Sequence, residues 1–299
     1  MSTRPRPAEE GAPKRRPIAI PDLFALKESA TPITMITAYD FPSALAAEEG
    51  GIDIVLVGDS GAMVVLGYDS TVPVSVEEML TLTKAVRRGL KTPLLIGDLP
   101  FGSYEASDEL AVQTATRFVK EAGVDAVKLE GGSDLPLARA KAIMAAGIPV
   151  MGHVGLTPQT AVALGGYKAQ GRTASSANRV AREARALQDA GCFSVVFEAV
   201  PSELTDAVMP LMSTSVVIGI GAGPATDGQV LVLHDLAGMG SGGKAKFVKR
   251  YAELHAPLVD AVSAYASEVR SRAYPAPEHC YSMPAAEREQ LDLPGAPTA

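Results

Sequence analysis

Gly51-Ile-Asp-Ile-Val-Leu-Val-Gly-Asp-Ser60 sets the pattern for the chain: a glycine that punctuates, a short β-branched apolar run, and a polar ending. A run that is apolar at successive residues rather than alternate ones marks a strand covered on both faces, as in a parallel sheet. The same plan recurs. It predicts strands at Ile33–Thr37, Ile52–Gly58, Leu94–Asp98, Ala126–Glu130, Pro149–His153, Ser194–Glu198, Val216–Ile220 and Gln229–His234, the last of which also reads as the opening of a helix. Between them, helical patterns cover Pro42–Glu49, Ser75–Arg88, Ser107–Glu121, Asp134–Ala145, Ser175–Ala190 and Glu203–Met209. Ser75 and Ser107 are suitable N-caps, each followed closely by a glutamate. Gly50-Gly51, Gly89, Gly123, Gly147 and Gly191 stand where a helix must stop before the chain re-enters a sheet. Eight such βα units close on themselves, so the predicted fold is α/β, a (β/α)8 TIM barrel.

The 299 residues suffice to bury a large core without disulfides or structural metal. With 27 Lys+Arg against 34 Asp+Glu, the net charge of −7 is a poor match for nucleic acid or an anionic membrane surface, both of which call for a positive field. A small molecule is the better partner. Cys192 and Cys280 fit no zinc or disulfide framework, and a reducing, cytoplasmic setting suits them. The apolar runs are far shorter than the ~20 residues that span a bilayer. Residues 1–17, rich in Arg, Pro and Glu, read as a flexible N-terminal tail. Residues 18–273 read as one catalytic barrel, with Lys244–Arg270 forming one or two amphipathic helices that close it. Residues 274–299, with five prolines, read as a loosely packed C-terminal tail available to dress a neighbouring subunit.

A parallel barrel carries its chemistry where its strands end. Here the endings are Gly58-Asp59-Ser60, Gly97-Asp98, Lys128-Leu129-Glu130, Gly152-His153 and Phe197-Glu198. Any one of these carboxylates alone is more simply a helix cap or half of an ion pair. Four of them on one rim repel one another unless a cation intervenes. Oxygen donors without cysteine indicate a hard divalent ion of the Mg²⁺ type. The run Gly219-Ile-Gly-Ala-Gly223-Pro-Ala-Thr226 resembles a dinucleotide fingerprint but lacks its third glycine in either frame, and instead suits close backbone approach to a ligand. Gly155-Leu-Thr-Pro-Gln159 and Gly165–Arg172 together make a polar segment too long for a plain connector, and read as a lid or binding loop.

Eight motifs in order then carry a resemblance: Met35-Ile-Thr-Ala-Tyr-Asp40, Val57-Gly-Asp-Ser60, Asp69-Ser-Thr-Val-Pro-Val74, Asp98-Leu-Pro-Phe101, Val127-Lys-Leu-Glu-Gly-Gly132, Gly152-His-Val-Gly-Leu-Thr-Pro-Gln159, Gly165-Gly-Tyr-Lys-Ala-Gln-Gly171 and Gly219-Ile-Gly-Ala-Gly223. Over about residues 18–283 the chain resembles the ketopantoate (3-methyl-2-oxobutanoate) hydroxymethyltransferase family. The departure is Gly61-Ala62-Met63, where the family more usually has Leu-Gly-Met.

The resemblance implies a barrel of the phosphoenolpyruvate/pyruvate superfamily, assembled as a homodecamer. It implies transfer of a one-carbon unit from 5,10-methylenetetrahydrofolate to 3-methyl-2-oxobutanoate. The product is 2-dehydropantoate, and the step is the first committed one of pantothenate and coenzyme A synthesis. It implies one Mg²⁺ per subunit on Asp59 and Asp98, with Glu130 as a third ligand acting through water. Substrate contacts map onto Asp59, Ser60, Asp98 and Lys128, with His153 lining the pocket, and the proton acceptor maps onto Glu198. Flanked by Phe197, Ala199 and Val200, Glu198 also suits a partly desolvated general base on chemical grounds. Folate contacts are not assigned. Two other readings are a C–C or C–P lyase or mutase of the same superfamily, and a non-catalytic ligand-binding barrel. The isocitrate-lyase version lacks its cysteine motif, since neither Cys192 nor Cys280 lies in a K-K-C-G-H context.

Overall fold

The computed structural model describes residues 15–240 and 245–291. Eight strands, β1 (Ile33–Thr37), β2 (Ile54–Val57), β3 (Leu94–Asp98), β4 (Ala126–Lys128), β5 (Val150–Gly155), β6 (Ser194–Glu198), β7 (Val216–Ile220) and β8 (Gly228–Leu231), pair in parallel and in chain order into a closed barrel. Closure is made by β8 on β1, where Met35 faces Val230. The last strand expected at Gln229–His234 ends at Leu231, and a short helix, Leu233–Leu236, takes over its final residues.

Side-chain alternation sorts each strand into two columns. Outward residues such as Val55, Leu95, Val127, Val195 and Val217 pack under the helices. Inward residues such as Ile54, Ile96, Ala126, Met151, Val196 and Ile218 fill the barrel. The helices expected between the strands form, often shifted by a residue. They include Val76–Arg87, capped by Ser75, whose Oγ accepts from the Glu78 N–H while the Glu78 carboxylate accepts from the Ser75 N–H. Asp108–Arg117 is shorter than expected, because the chain widens into a π-type turn at Phe118–Ala122 before Gly123. Gly123, Gly147 and Gly191 do take positive φ after their helices. Gly89 does not. A Cβ there would lie 2.6 Å from that of Ala44, so this glycine serves the close approach of two helices.

The sequence reading missed helix α1 (Ile20–Glu28), which lies below the barrel. Its Leu23 is fully buried in the same cluster as Ile33, Ile54 and Leu94, and Ile20, Phe24 and Leu26 pack around it. Lys27 Nζ ties the helix down by donating to the carbonyls of Met212 and Ser215 and to Asp227. The end of the expected flexible tail is fastened as well. Arg15 pairs with Asp53 and donates to the Gly51 and Ile52 carbonyls, and Arg16 holds Asp22. Residues 1–14 lie outside the described residues.

The chain separates into two compact units, one ending at Tyr251 and the other beginning at Ala252. The first unit ends before the helix His255–Ser271, and pairing of β8 with β1 closes the ring of strands. Lys244, and residues 292–299 of the expected tail, lie outside the described residues. No helix among the described residues is long and apolar enough to cross a membrane.

Candidate active site

The inward columns do not stop at the top of the barrel; they change chemistry. Leu94 and Ile96 are followed by Asp98, Ala126 by Lys128 and then Glu130, Met151 by His153, and Ser194 and Val196 by Glu198. Strand register sets their heights. Asp98 and Lys128 are direct partners across β3 and β4, so their side chains leave the sheet side by side. All seven residues singled out from the sequence, Asp59, Ser60, Asp98, Lys128, Glu130, His153 and Glu198, line one cavity. Its empty space, counting solvent at the open mouth, is about 820 Å³.

Lys128 Nζ donates to both oxygens of Asp98, at 2.7 and 2.8 Å, and lies 4.0 Å from Glu130. Burial works against its charge, but Asp98, Glu130 and Asp59 together hold its pKa above the ordinary lysine value. The backbone N–H of Asp59 donates at 3.1 Å to Asp98 Oδ2, one of the two oxygens that also accept from Lys128. Asp59 itself is pushed well above the usual carboxylate range, first by burial and then by the Asp98 and Glu130 carboxylates. His153 sits between two acids, with Nδ1 3.5 Å from Glu130 and Nε2 3.2 Å from Glu198. Neither nitrogen is aligned for a hydrogen bond, so the attraction is ionic. Burial opposes its protonation, yet the two carboxylates lift its pKa to about 9, leaving it charged at neutral pH. Ser60 Oγ shares a 2.8 Å hydrogen bond with the buried Tyr39 hydroxyl. Gly61, the departure from the family pattern, leaves room for that ring, because a Cβ there would lie 2.7 Å from Tyr39 Cδ1.

Two residues went unassigned in the sequence. Gln159, in a short turn after β5, donates through Nε2 to Asp59 (3.0 Å) and the Leu99 carbonyl (2.9 Å), and through its N–H to Glu130 (3.0 Å). Tyr104 donates its hydroxyl to Gln159 Oε1 at 2.6 Å. Both are neutral, so charge logic passed over them; the position of Gln159 just beyond a strand end was the available signal. Of the expected lid, Tyr167 lines the cavity and Gln170 N–H donates to the Ala199 carbonyl beside Glu198. The glycine-rich turn contributes Ile220 to the cavity, while Gly221 and Gly223 line an adjoining groove with Phe247.

Among the described residues, no three His, Cys, Asp or Glu side chains form a metal cage by themselves. The expected set of Asp59, Asp98 and Glu130 is gathered, but Lys128 and Gln159 occupy part of its oxygens. That still fits a hard divalent ion, which typically takes one or two carboxylates and completes its shell with water and substrate oxygens. The charge balance fits too. Five carboxylates, Asp59, Asp98, Glu130, Glu198 and Asp235, line the cavity against the cations Lys128 and His153, and the upward push on Asp59 reflects an acidic excess that a cation would offset. One Glu130 oxygen is buried with no hydrogen-bond partner.

Backbone geometry locks Glu198 in place. Gly155, at φ +98°, is its register partner, and a Cβ there would lie 2.2 Å from the Glu198 carbonyl oxygen and 2.8 Å from Val200 Cγ1. Gly155→Ala is therefore expected to destabilise the fold by at least about 2 kcal/mol and to lower turnover by displacing Glu198. Urea unfolding and steady-state kinetics check this, and wild-type values in both would show that the backbone yields without cost.

Fold and site together define a (β/α)8-barrel enzyme with a buried carboxylate, lysine and histidine cluster at the C-terminal ends of its strands. The barrel is similar to that of phosphoenolpyruvate phosphomutase from Streptomyces platensis subsp. rosaceus (TM-score 0.58, covering 87% of this chain and 92% of that one), although only 14% of residues are identical. At that identity the likeness is one of fold alone. The profile of ketopantoate hydroxymethyltransferases matches residues 17–277. A 3-methyl-2-oxobutanoate hydroxymethyltransferase of Saccharopolyspora erythraea is 52% identical over 271 residues, covering 90% of this chain and 91% of its own. A mitochondrial one of Arabidopsis thaliana is 48% identical, covering 96% and 85%. The chain belongs to the ketopantoate hydroxymethyltransferase family.

Proposed function

We propose that the protein transfers a hydroxymethyl group derived from 5,10-methylenetetrahydrofolate to 3-methyl-2-oxobutanoate, giving 2-dehydropantoate for pantothenate and coenzyme A synthesis. Besides family membership, the observation that carries this reading is the gathering of Asp59, Asp98, Lys128 and Glu198 around one cavity. Asp59 and Asp98 would hold one Mg²⁺ per subunit, with Glu130 reaching it through water. When bound, the ion supplies a Lewis acid that eases loss of a proton beside the ketone.

The remaining work falls to the chain. Lys128, held charged by its neighbours, offsets the negative charge of the substrate. Ser60 donates to the substrate carboxylate. Glu198 accepts the proton from the branched carbon, and charged His153 keeps the Glu198 carboxylate facing the cavity. The branched carbon then bonds to the one-carbon unit, tetrahydrofolate departs, and a water supplies the oxygen of the new hydroxyl. The Gly165–Arg172 segment acts as the lid, excluding other water; Tyr167 at the cavity wall supports that role. A cytoplasmic, homodecameric enzyme completes the proposal. Free Cys192 and Cys280 suit a reducing compartment, and exposed Leu258, Val262 and Tyr265 on one helix suit burial against other subunits.

Incubation with 3-methyl-2-oxobutanoate, methylenetetrahydrofolate and Mg²⁺, followed by NMR, is expected to yield 2-dehydropantoate, with loss of product in EDTA and recovery on added Mg²⁺. Lack of product in the complete mixture would refute the reading.

A further inference from the structure

Gln159 joins the two halves of the active site. Its side-chain amide is oriented from both ends: Oε1 accepts from the Tyr104 hydroxyl at 2.6 Å, while Nε2 donates to the Leu99 carbonyl at 2.9 Å and to Asp59 Oδ2 at 3.0 Å. A flipped amide would set oxygen against two acceptors, so this orientation is fixed. The Tyr104 hydroxyl also accepts from the Glu130 N–H at 3.3 Å, and the N–H of Gln159 donates to Glu130 Oε2 at 3.0 Å. All four residues are buried. The chain of contacts therefore commits one oxygen of Asp59 and one of Glu130 to the protein, and leaves the other oxygen of each for a ligand.

Gln159 is also the first anchor of the segment that continues into the lid. It lies within the turn Pro158–Thr160, and eleven residues later Gln170 is fastened to the Ala199 carbonyl, one residue past Glu198. One length of chain thus touches the two candidate cation ligands at one end and the neighbour of the candidate base at the other.

Building on the cation site of the proposed function, we infer that Gln159 is a positioning residue that presents Asp59 and Glu130 to the divalent ion and couples cation binding to ordering of residues 160–172. Because such coupling is reciprocal, the ion steadies the segment to the extent that the segment tightens the ion. Partners that orient metal ligands typically contribute about 10–100-fold to affinity.

Mn²⁺ serves as the probe, titrated into the whole protein by electron paramagnetic resonance, with amide hydrogen exchange of residues 160–172 measured with and without the ion. Wild type is expected to bind Mn²⁺ and to slow exchange in that segment on binding. Gln159→Met, close in volume but without hydrogen bonds, is expected to weaken Mn²⁺ at least about 10-fold and to erase the ion-dependent protection. Tyr104→Phe, which removes one of the three hydrogen bonds that orient the amide, is expected to fall between the two, and decides the matter if Gln159→Met does not fold. A purely structural role would lower thermal stability and leave both readouts unchanged. Wild type that binds Mn²⁺ with no change in exchange, or folded variants within twofold of wild-type affinity, would overturn the coupling alone. Failure of wild type to bind Mn²⁺ would overturn the cation site and the coupling with it.

Discussion

Lys128→Met is expected to cost about 3–5 kcal/mol of stability and to lower kcat/KM by about three orders of magnitude. Methionine keeps the length and apolar body of the side chain but removes the one charge in contact with both Asp98 oxygens. Asp98 is 1% exposed, and Asp59 and Glu130 are buried beside it, so the loss leaves a cluster of like charges out of water with no lysine to offset them. The two effects are separable. Adding Asp98→Asn to Lys128→Met removes charge from both partners and is expected to restore much of the stability while leaving the enzyme inactive. Urea unfolding and steady-state kinetics on the single and double variants read this out. A single variant that keeps wild-type stability would show that solvent reaches the pair.

Glu198→Gln is expected to suppress proton abstraction by about 10²–10⁴-fold while the fold stays intact. The amide matches the carboxylate in shape, and the side chain is 17% exposed, so the substitution buries no new strain. The measurement isolates the proton transfer: 3-methyl-2-oxobutanoate and Mg²⁺ in deuterated water, without folate, with hydrogen loss at the branched carbon followed by NMR. Exchange at the wild-type rate in the variant would remove Glu198 from the role of base. The substitution also leaves His153 with one carboxylate neighbour instead of two, so its pKa is expected to fall from about 9, and the imidazole to lose its proton at lower pH than in wild type.

Much of this site was legible because inward-facing residues continue the strand period. Once Ala126 and Lys128 share a column, Glu130 must join them, and the same rule carries Asp98 and Glu198. The charged residues were found because a carboxylate at a strand end calls for an explanation. Gln159 and Tyr104 were not, since a neutral amide and a phenol declare a role only when their partners are known. Helix α1 was hidden for a different reason. Nine residues behind an Arg- and Pro-rich stretch carry too weak an apolar stripe to stand apart from a tail, and the helix acquires meaning only through the ring of strand residues around Leu23. The end of the barrel unit at Tyr251 was likewise obscured, because the amphipathic pattern of the following helix does not say which surface it serves.

Placement of α1 beneath the strands bears on traffic through the enzyme. With Leu23 and its neighbours stoppering the lower end, the described barrel admits solutes from above, where the cavity opens. On the proposed chemistry, a compact keto acid must settle on the floor formed by Asp98 and Lys128 before a bulky pteridine comes to rest over it. Arrival in the opposite sequence would leave the acid no passage. If both reactants use this mouth, as the proposed chemistry requires, ordered binding with the keto acid first is the expected kinetic pattern, and product-inhibition kinetics check it.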